Sequence, residues 1–459
     1  MAYQLAVIGA GPGGYEAAIR AAQLGMSTAL IEQRELGGTC LNRGCIPTKA
    51  LLHAANLYAA AREGARFGVC AGEVTLDETA MFARKDEVVE GLKGGIAQLI
   101  RSNRIELYGG KGCIEAPGRV RVGDRIIEAE RMLIATGSVP ALPPIEGMEH
   151  CITSDDLLCA QSLPENLVII GGGVIGVEFA SMYAALGRQI TVIEAQGRLL
   201  PLLDREFGQS VSMNLKKAGA QVHTDALVKR VLREGERVRV EFEVRGKAAE
   251  CAAQTALVAT GRRANTQGLF ANGFDLQMHK GCIVVDDHFE TSVPGVYAIG
   301  DVTGGIQLAH AASAQGIACV EGMAGMSSGL RLDLIPSCVY TEPEMASVGL
   351  TADEAKARGI AVRSAKVLMG ANGRTQIAGG ARGWIKVVVD AQTDVLLGAQ
   401  MMGERATDLI GEMNLAIANG LTRRQMLCAV RAHPTFEEAI TEALEAVEGR
   451  AIHAAVTRK

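Results

Sequence analysis

In GGTCLNRGCIPTKALLHAA, residues 37 to 55, Cys40 and Cys45 stand five positions apart, and Lys49 follows one helical turn after the second thiol. Residues of these types can do three things. They could be half of a zinc site, but such a site needs two further ligands, and no second Cys or His pair at ligand spacing supplies them. They could be inert core thiols, although the LNRG between them is polar and flexible rather than apolar. They could also be a redox pair. In an ideal helix, positions five apart have Cα atoms roughly 8.7 Å apart, beyond the roughly 7 Å that a disulfide tolerates. A bridge here therefore requires a distorted turn, which Gly44 and Pro47 permit, and a strained bridge is the easily reduced kind. TKALLHAANLYAA is a strong helix former and Pro47 suits a first turn, so Cys45 is predicted at a helix N-terminus, where the dipole favours a thiolate. Lys49 reads either as a solvated helix charge or as a cation beside an electron-accepting ring.

A second constellation lies near the end of the chain, where RAHPTFEEAITEALEAVEGR, residues 431 to 450, offers His433 and Glu438. A histidine with a carboxylate partner can move protons. Thr435 with Glu438 three residues on also reads as the capping box of the following helix, a role that needs no catalysis.

The elements that must position these groups announce themselves by an internal duplication. LAVIGAGPGGYEAA at 5 to 18 and LVIIGGGVIGVEFA at 167 to 180 share one plan: a buried apolar run, a GxGxxG turn and a helix. The glycines are Gly9, Gly11 and Gly14 in the first copy and Gly171, Gly173 and Gly176 in the second, and Glu32 and Glu194 each lie 18 residues past the third glycine. Such turns let backbone approach a pyrophosphate, the helix N-terminus stabilises its charge, and the acid binds ribose hydroxyls. Both units close on Ala-Thr-Gly, at Gly137 and Gly261, and the first is longer, 128 residues from Gly9 to Gly137 against 90 from Gly171 to Gly261. That extra length is an insertion holding the cysteine pair. Two dinucleotide sites are expected. A carboxylate at Glu194 accepts from a free 2′-hydroxyl and repels a 2′-phosphate, which favours NAD, while nearby Arg198 reads as a surface charge.

Composition excludes several function classes. A chain of 459 residues exceeds one core, and 48% apolar with 21% charged content is globular. The net charge of -5 gives no footprint for nucleic acid, and no basic stripe interleaves with aromatics. No leader or membrane-spanning run is visible. The other nine cysteines are scattered singly, which suits buried free thiols in a reducing cytoplasm.

GGTCLNRGCIPTKALL resembles the redox segment of the flavin-dependent pyridine nucleotide disulfide oxidoreductases. The resemblance continues through VYAIGDV at 296 to 302, LAHAASAQG at 308 to 316, IPSCVYTEPEMASVG at 335 to 349 and VRAHPTFEEA at 430 to 439. It implies an α/β fold with two Rossmann-like domains, for FAD and for NAD, plus a C-terminal α+β dimerisation domain. The boundaries expected are 1–143 for FAD with the redox disulfide, 144–267 for NAD, 268–333 for a central domain completing the FAD site, and 334–459 for the interface. It further implies a Cys40–Cys45 disulfide beside the flavin, with Cys40 nearer solvent and exchanging with substrate, and Cys45 facing the flavin. Asp301 would contact the ribityl chain, and Lys49 would pair with Glu178, otherwise simply an acid favourable to its helix's first turn. His433 and Glu438 would reach the disulfide of the other subunit of a homodimer, across a cis bond to Pro434. The implied reaction oxidises dihydrolipoamide, carried on lipoyl domains supplied in trans, with NAD⁺ as final acceptor and no metal. Reductases of glutathione or trypanothione use NADPH, against which Glu194 argues. The chain departs from the family at Arg43, where a small apolar residue is usual, and at Ala264, where proline is. Arg43 is a further candidate to favour the Cys45 thiolate.

Overall fold

The computed structural model describes residues 2–380 and 383–454, and the chain divides into two compact units: residues up to 171 with 227–332, and residues 172–226 with those from 333 onward. In the first unit, β1 (Tyr3–Ile8) runs parallel to β2 (Thr28–Glu32) on one side and to the strand Arg125–Ile134 on the other. Being central and covered on both faces, β1 is continuously apolar and buried from Leu5 to Ile8, as a parallel core strand must be. Its side chains alternate between two cores: Leu5 and Val7 join Ala17, Ala21 and Leu30 on the side of helix α1 (Pro12–Gln23), whereas Ala6 and Ile8 join Ala29, Ile31 and Ile134. The sheet extends through Glu106–Gly109 beyond β2, and through the antiparallel strands Arg119–Val122 and Gly112–Ala116 beyond Arg125–Ile134. Helix α1 packs closely on the helix Ala309–Met323, where a Cβ at Gly316 would fall 2.5 Å from Gly13 O. Between β2 and the rest of the sheet the chain makes α2 (Gly38–Arg43) and α3 (Cys45–Glu63), which carry the cysteines. The unit also holds the strand Asn166–Ile170, parallel to Thr255–Val258.

In the second unit the strands Gln189–Ile193 and Gln221–His223 pair in parallel, with the helices Val174–Ala185 and Arg205–Lys217. A five-stranded antiparallel sheet runs in the order Ser337–Val339, Glu344–Gly349, Leu396–Gly403, Trp384–Asp390, Val362–Leu368. The helices Ala406–Ala418 and Glu438–Ala446 cover it, burying Ile410, Met413, Ile440 and Leu444 against Val387 and Met401. The Phe207 ring stacks on Trp384 at 5.0 Å, and Lys386 bridges Asp204 and Glu206 at 2.8 Å each. The mixed α/β architecture is the one expected. Among the described residues no helix is long and apolar enough to cross a membrane.

Candidate active site

At the first glycine turn Gly9 has φ +106°, and a Cβ there would lie 2.4 Å from Ala135 O, the carbonyl that opens the closing Ala-Thr-Gly. A Cβ on Gly14 would fall 1.9 Å from Gly9 O. Only glycine serves at either position. Glu32, at the end of β2, accepts hydrogen bonds from the Ala10 amide at 2.7 Å and the Arg34 amide at 2.8 Å. A carboxylate has about four lone-pair sites, so two remain for ribose hydroxyls. The second turn repeats this arrangement. Gly171 has φ +112° and approaches Ala259 O as Gly9 approaches Ala135 O, and Glu194 accepts from the amides of Gly172 and Gln196 at 2.6 Å each. Both cradles fit the ribose and pyrophosphate of a dinucleotide.

Two helices, not one, carry the cysteines. Gly44, with φ −145° and ψ −116°, ends α2 and starts α3, so the chain breaks between Cys40 in α2 and Cys45, the first residue of α3. This break is the distortion that a contact between the thiols requires, and a side chain at Gly44 would meet Thr39 O at 2.9 Å. The thiols lie within hydrogen-bonding reach. Cys40 is pushed well above the ordinary thiol range, first by its hydrogen bond to Cys45 and then by burial, while the Lys49 ammonium pulls the other way. The start of α2 lies against the first glycine turn: a Cβ on Gly38 would come 2.6 Å from Gly11 Cα. Asp301, in the short turn Gly300–Thr303, accepts from the Ser138 hydroxyl at 2.5 Å, beside Gly137 of the closing tripeptide.

In the second unit His433 Nδ1 lies 2.8 Å from Glu438 Oε1, and the other carboxylate oxygen accepts from the Thr435 amide at 2.8 Å. Partial burial opposes ionisation of Glu438, but the Thr435 amide and the His433 ring outweigh it and hold the carboxyl below its usual range. The His433–Pro434 peptide is cis, and so is Glu342–Pro343. Glu178, buried on the helix Val174–Ala185, accepts from the Tyr340 amide at 3.0 Å.

Residues 3–316 match the family described as pyridine nucleotide-disulphide oxidoreductase, and residues 335–444 match its dimerisation domain. The chain belongs to this family. It is 41% identical over 98% of its length to a dihydrolipoyl dehydrogenase of Bacillus subtilis, 99% of which is covered, and 40% identical to one of Thermus scotoductus, with 98% of each chain covered. It also resembles the crystal structure of LpdA from Mycobacterium tuberculosis, with a TM-score of 0.88, 27% identity, and 96% of this chain and 99% of that one covered.

Several residues of this oxidoreductase differ from their sequence reading. LNRG is not a flexible linker: it is the last turn of α2 and the break after it, with Leu41 and Arg43 buried and Asn42 Nδ2 donating at 2.9 Å to both Leu36 O and Gly38 O. Arg43 is committed to an ion pair with Glu35, which takes up the charge expected to favour the Cys45 thiolate. Cys40, within α2, is half-buried, and Cys45, which opens α3, is exposed. The capping box at Thr435 forms only by half: its hydroxyl donates to Ala432 O at 2.7 Å, and the helix begins at Glu438. Arg198 is no free surface charge, since it donates to Pro201 O at 2.7 Å. Of the scattered thiols only Cys319 is buried, whereas Cys70, Cys159 and Cys428 are exposed. Ser138 and Asn42 were missed, and their only signal was adjacency to residues already singled out.

Proposed function

We propose that the chain oxidises dihydrolipoamide with NAD⁺, through Cys40, Cys45, FAD and the His433–Glu438 pair. The observation that carries the reading is the contact between the two thiols at the break between α2 and α3, with the start of α2 against the first glycine turn. In the oxidised enzyme Cys40 and Cys45 form the disulfide. One thiol of the substrate, as thiolate, attacks Cys40 Sγ, a mixed disulfide forms, and Cys45 leaves as a thiolate favoured by the α3 dipole and by Lys49. The second substrate thiol then attacks the substrate sulfur of that mixed disulfide, which releases lipoamide and leaves Cys40 reduced.

His433 of the partner subunit accepts the protons of the substrate thiols. Glu438 holds the Nδ1 proton, leaving Nε2 as the acceptor, and stabilises the imidazolium once it forms. The 77% exposure of the His433 side chain leaves it free to serve a second copy, and the dimerisation domain supports a homodimer. FAD, when bound, carries the two electrons from the dithiol to NAD⁺. The first turn would hold it through Gly9, Gly11, Gly14, Glu32, Gly137 and Asp301, with Lys49 and Glu178 at the flavin. Gly171, Gly173, Gly176, Glu194 and Gly261 would hold NAD. The four segments bounded at 143, 267 and 333 remain our division into domains. Cytoplasmic lipoyl domains in trans are the proposed partners.

Pure protein should reduce NAD⁺ with dihydrolipoamide, and Cys40→Ser and Cys45→Ser should each lose this while keeping bound FAD. Flavin-loaded wild type without lipoamide turnover would overturn the substrate. Glu438→Gln should lower kcat about a hundredfold. Wild-type kcat in this variant would remove Glu438 from the dyad.

A further inference from the structure

Arg262 lies in the strand Arg262–Ala264, which pairs antiparallel with Ser138–Pro140 and faces Pro140 across the pair. Its guanidinium grips Ser138 twice: Nε donates to the hydroxyl at 2.8 Å and Nη2 to the carbonyl at 2.8 Å. Behind it stands Asp155, whose Oδ1 is 3.9 Å from Nη1 and accepts no hydrogen bond from a described residue. Arginine has five donors and no acceptor, so the Ser138 hydroxyl can only accept from it. Its single proton must then go elsewhere, and it goes to Asp301 Oδ2 at 2.5 Å. The direction of every hydrogen bond in the row Arg262, Ser138, Asp301 is thus fixed by the chemistry of its first member. Among the described residues no other group donates to the Asp301 carboxylate, so Oδ1 keeps its lone pairs.

We propose that Arg262 is a positioning residue for the flavin dinucleotide: by forcing Ser138 to donate to Asp301 Oδ2, it orients Asp301 so that Oδ1 accepts from a hydroxyl of the cofactor's polyol chain. The proposal rests on the reading that Asp301 meets FAD. Ser138 is 6% exposed, so its hydroxyl has little water to turn toward, and the arginine fork holds it in one rotamer. Without the fork the hydroxyl could turn, and the carboxylate would lose its fixed aim.

The test measures binding to apoprotein, with FAD and ADP as separate probes, because ADP lacks the polyol chain. Ser138→Ala should weaken FAD about tenfold and leave the ADP affinity of the folded apoprotein unchanged, while Ser138→Thr, which keeps a hydroxyl, should restore FAD affinity. Arg262→Lys, a point charge that cannot grip hydroxyl and carbonyl together, should fall between wild type and Ser138→Ala. Wild-type protein that fails to bind FAD would defeat the cofactor assignment itself. Wild type that binds while both Ser138→Ala and Arg262→Lys bind equally tightly would overturn the relay, as would an equal loss of FAD and ADP affinity. Should Ser138→Ala not fold, Arg262→Lys with the same two probes decides by the same criteria.

Discussion

A Cβ on Gly38 would come 2.6 Å from Gly11 Cα, so backbone of the cysteine segment lies along the first glycine turn, whereas the neighbour of the second turn is a side chain, Leu199 Cδ2, 2.4 Å from a Cβ on Gly172, and a Cβ on Gly173 would meet nothing within 4 Å. The helix after the first turn is hemmed in as well, since a Cβ on Gly13 would lie 2.9 Å from Ala312 O. At the ribose end the two turns are alike: each acid is pinned by the amide after the first glycine and by the amide two residues beyond itself. Duplicated recognition chemistry therefore has two kinds of neighbour, fixed backbone at the first turn and a movable side chain at the second. A turn closed by backbone suits a coenzyme that stays, and one bordered by a side chain suits a coenzyme that comes and goes each turnover.

The largest effect should come from filling the closed turn. Gly14→Ala drives a methyl group to 1.9 Å from Gly9 O, a backbone atom that cannot step aside without moving the β1 end. Overpacking of this kind costs about 1–3 kcal/mol or more, so FAD affinity should drop by about a hundredfold or more, measured as flavin lost on dilution and gel filtration. Retention of FAD at wild-type affinity would show that the turn is not the FAD cradle.

Next in size is Gly38→Ala, which strains a residue at φ +57° and pushes the cysteine segment off the turn. Misplacing reacting groups by about an ångström can cost about a hundredfold. Lipoamide turnover should fall by about 10- to 100-fold, while NADH oxidation by an artificial dye, which does not need the thiols, should fall far less. Equal loss of both activities would mean that the segment supports the cofactor rather than the disulfide.

Glu194→Arg should come third, reversing the preference between NAD and NADP by about 10- to 100-fold in kcat/KM, the scale of a hydrogen bond to a charged group. Because Glu194 also receives the Gly172 and Gln196 amides, part of the loss with NAD will be a loosened turn, and Glu194→Gln measures that part separately. Unchanged selectivity in Glu194→Arg would place ribose recognition on other residues.

Much of this was legible beforehand because it is local. The glycine spacing, the acid 18 residues on and the apolar runs before each turn need only a few consecutive residues to state their geometry. Cys45 at a helix start was legible for the same reason, through Pro47 and the helix formers after it. What stayed hidden depends on partners distant in the chain. Arg43 looked available to a thiolate until the fold buried it against Glu35, and Ser138 gained its meaning only when strand pairing put Arg262 on one side of it and Asp301 on the other. Helix α2 itself was read as a flexible stretch, because a six-residue helix between glycines leaves almost no periodic signal.

The smallest effect belongs to the second turn and tests the comparison most directly. Gly173→Ala adds a methyl group where the protein itself offers no obstacle within 4 Å, at a residue with φ −73°, a value any residue adopts. The cost to stability should be no more than about 1 kcal/mol, the scale by which alanine is worse than glycine at a helix N-cap. The cost to binding should arise only when a pyrophosphate approaches the backbone, as the second glycine of such a turn allows. The expected outcome is a KM for NAD⁺ raised about three- to tenfold, with FAD content and dithiol titration as in wild type. An unchanged KM would mean that NAD⁺ does not approach this turn closely, and loss of FAD would mean that the second turn serves the resident coenzyme; either result removes the distinction between the two turns.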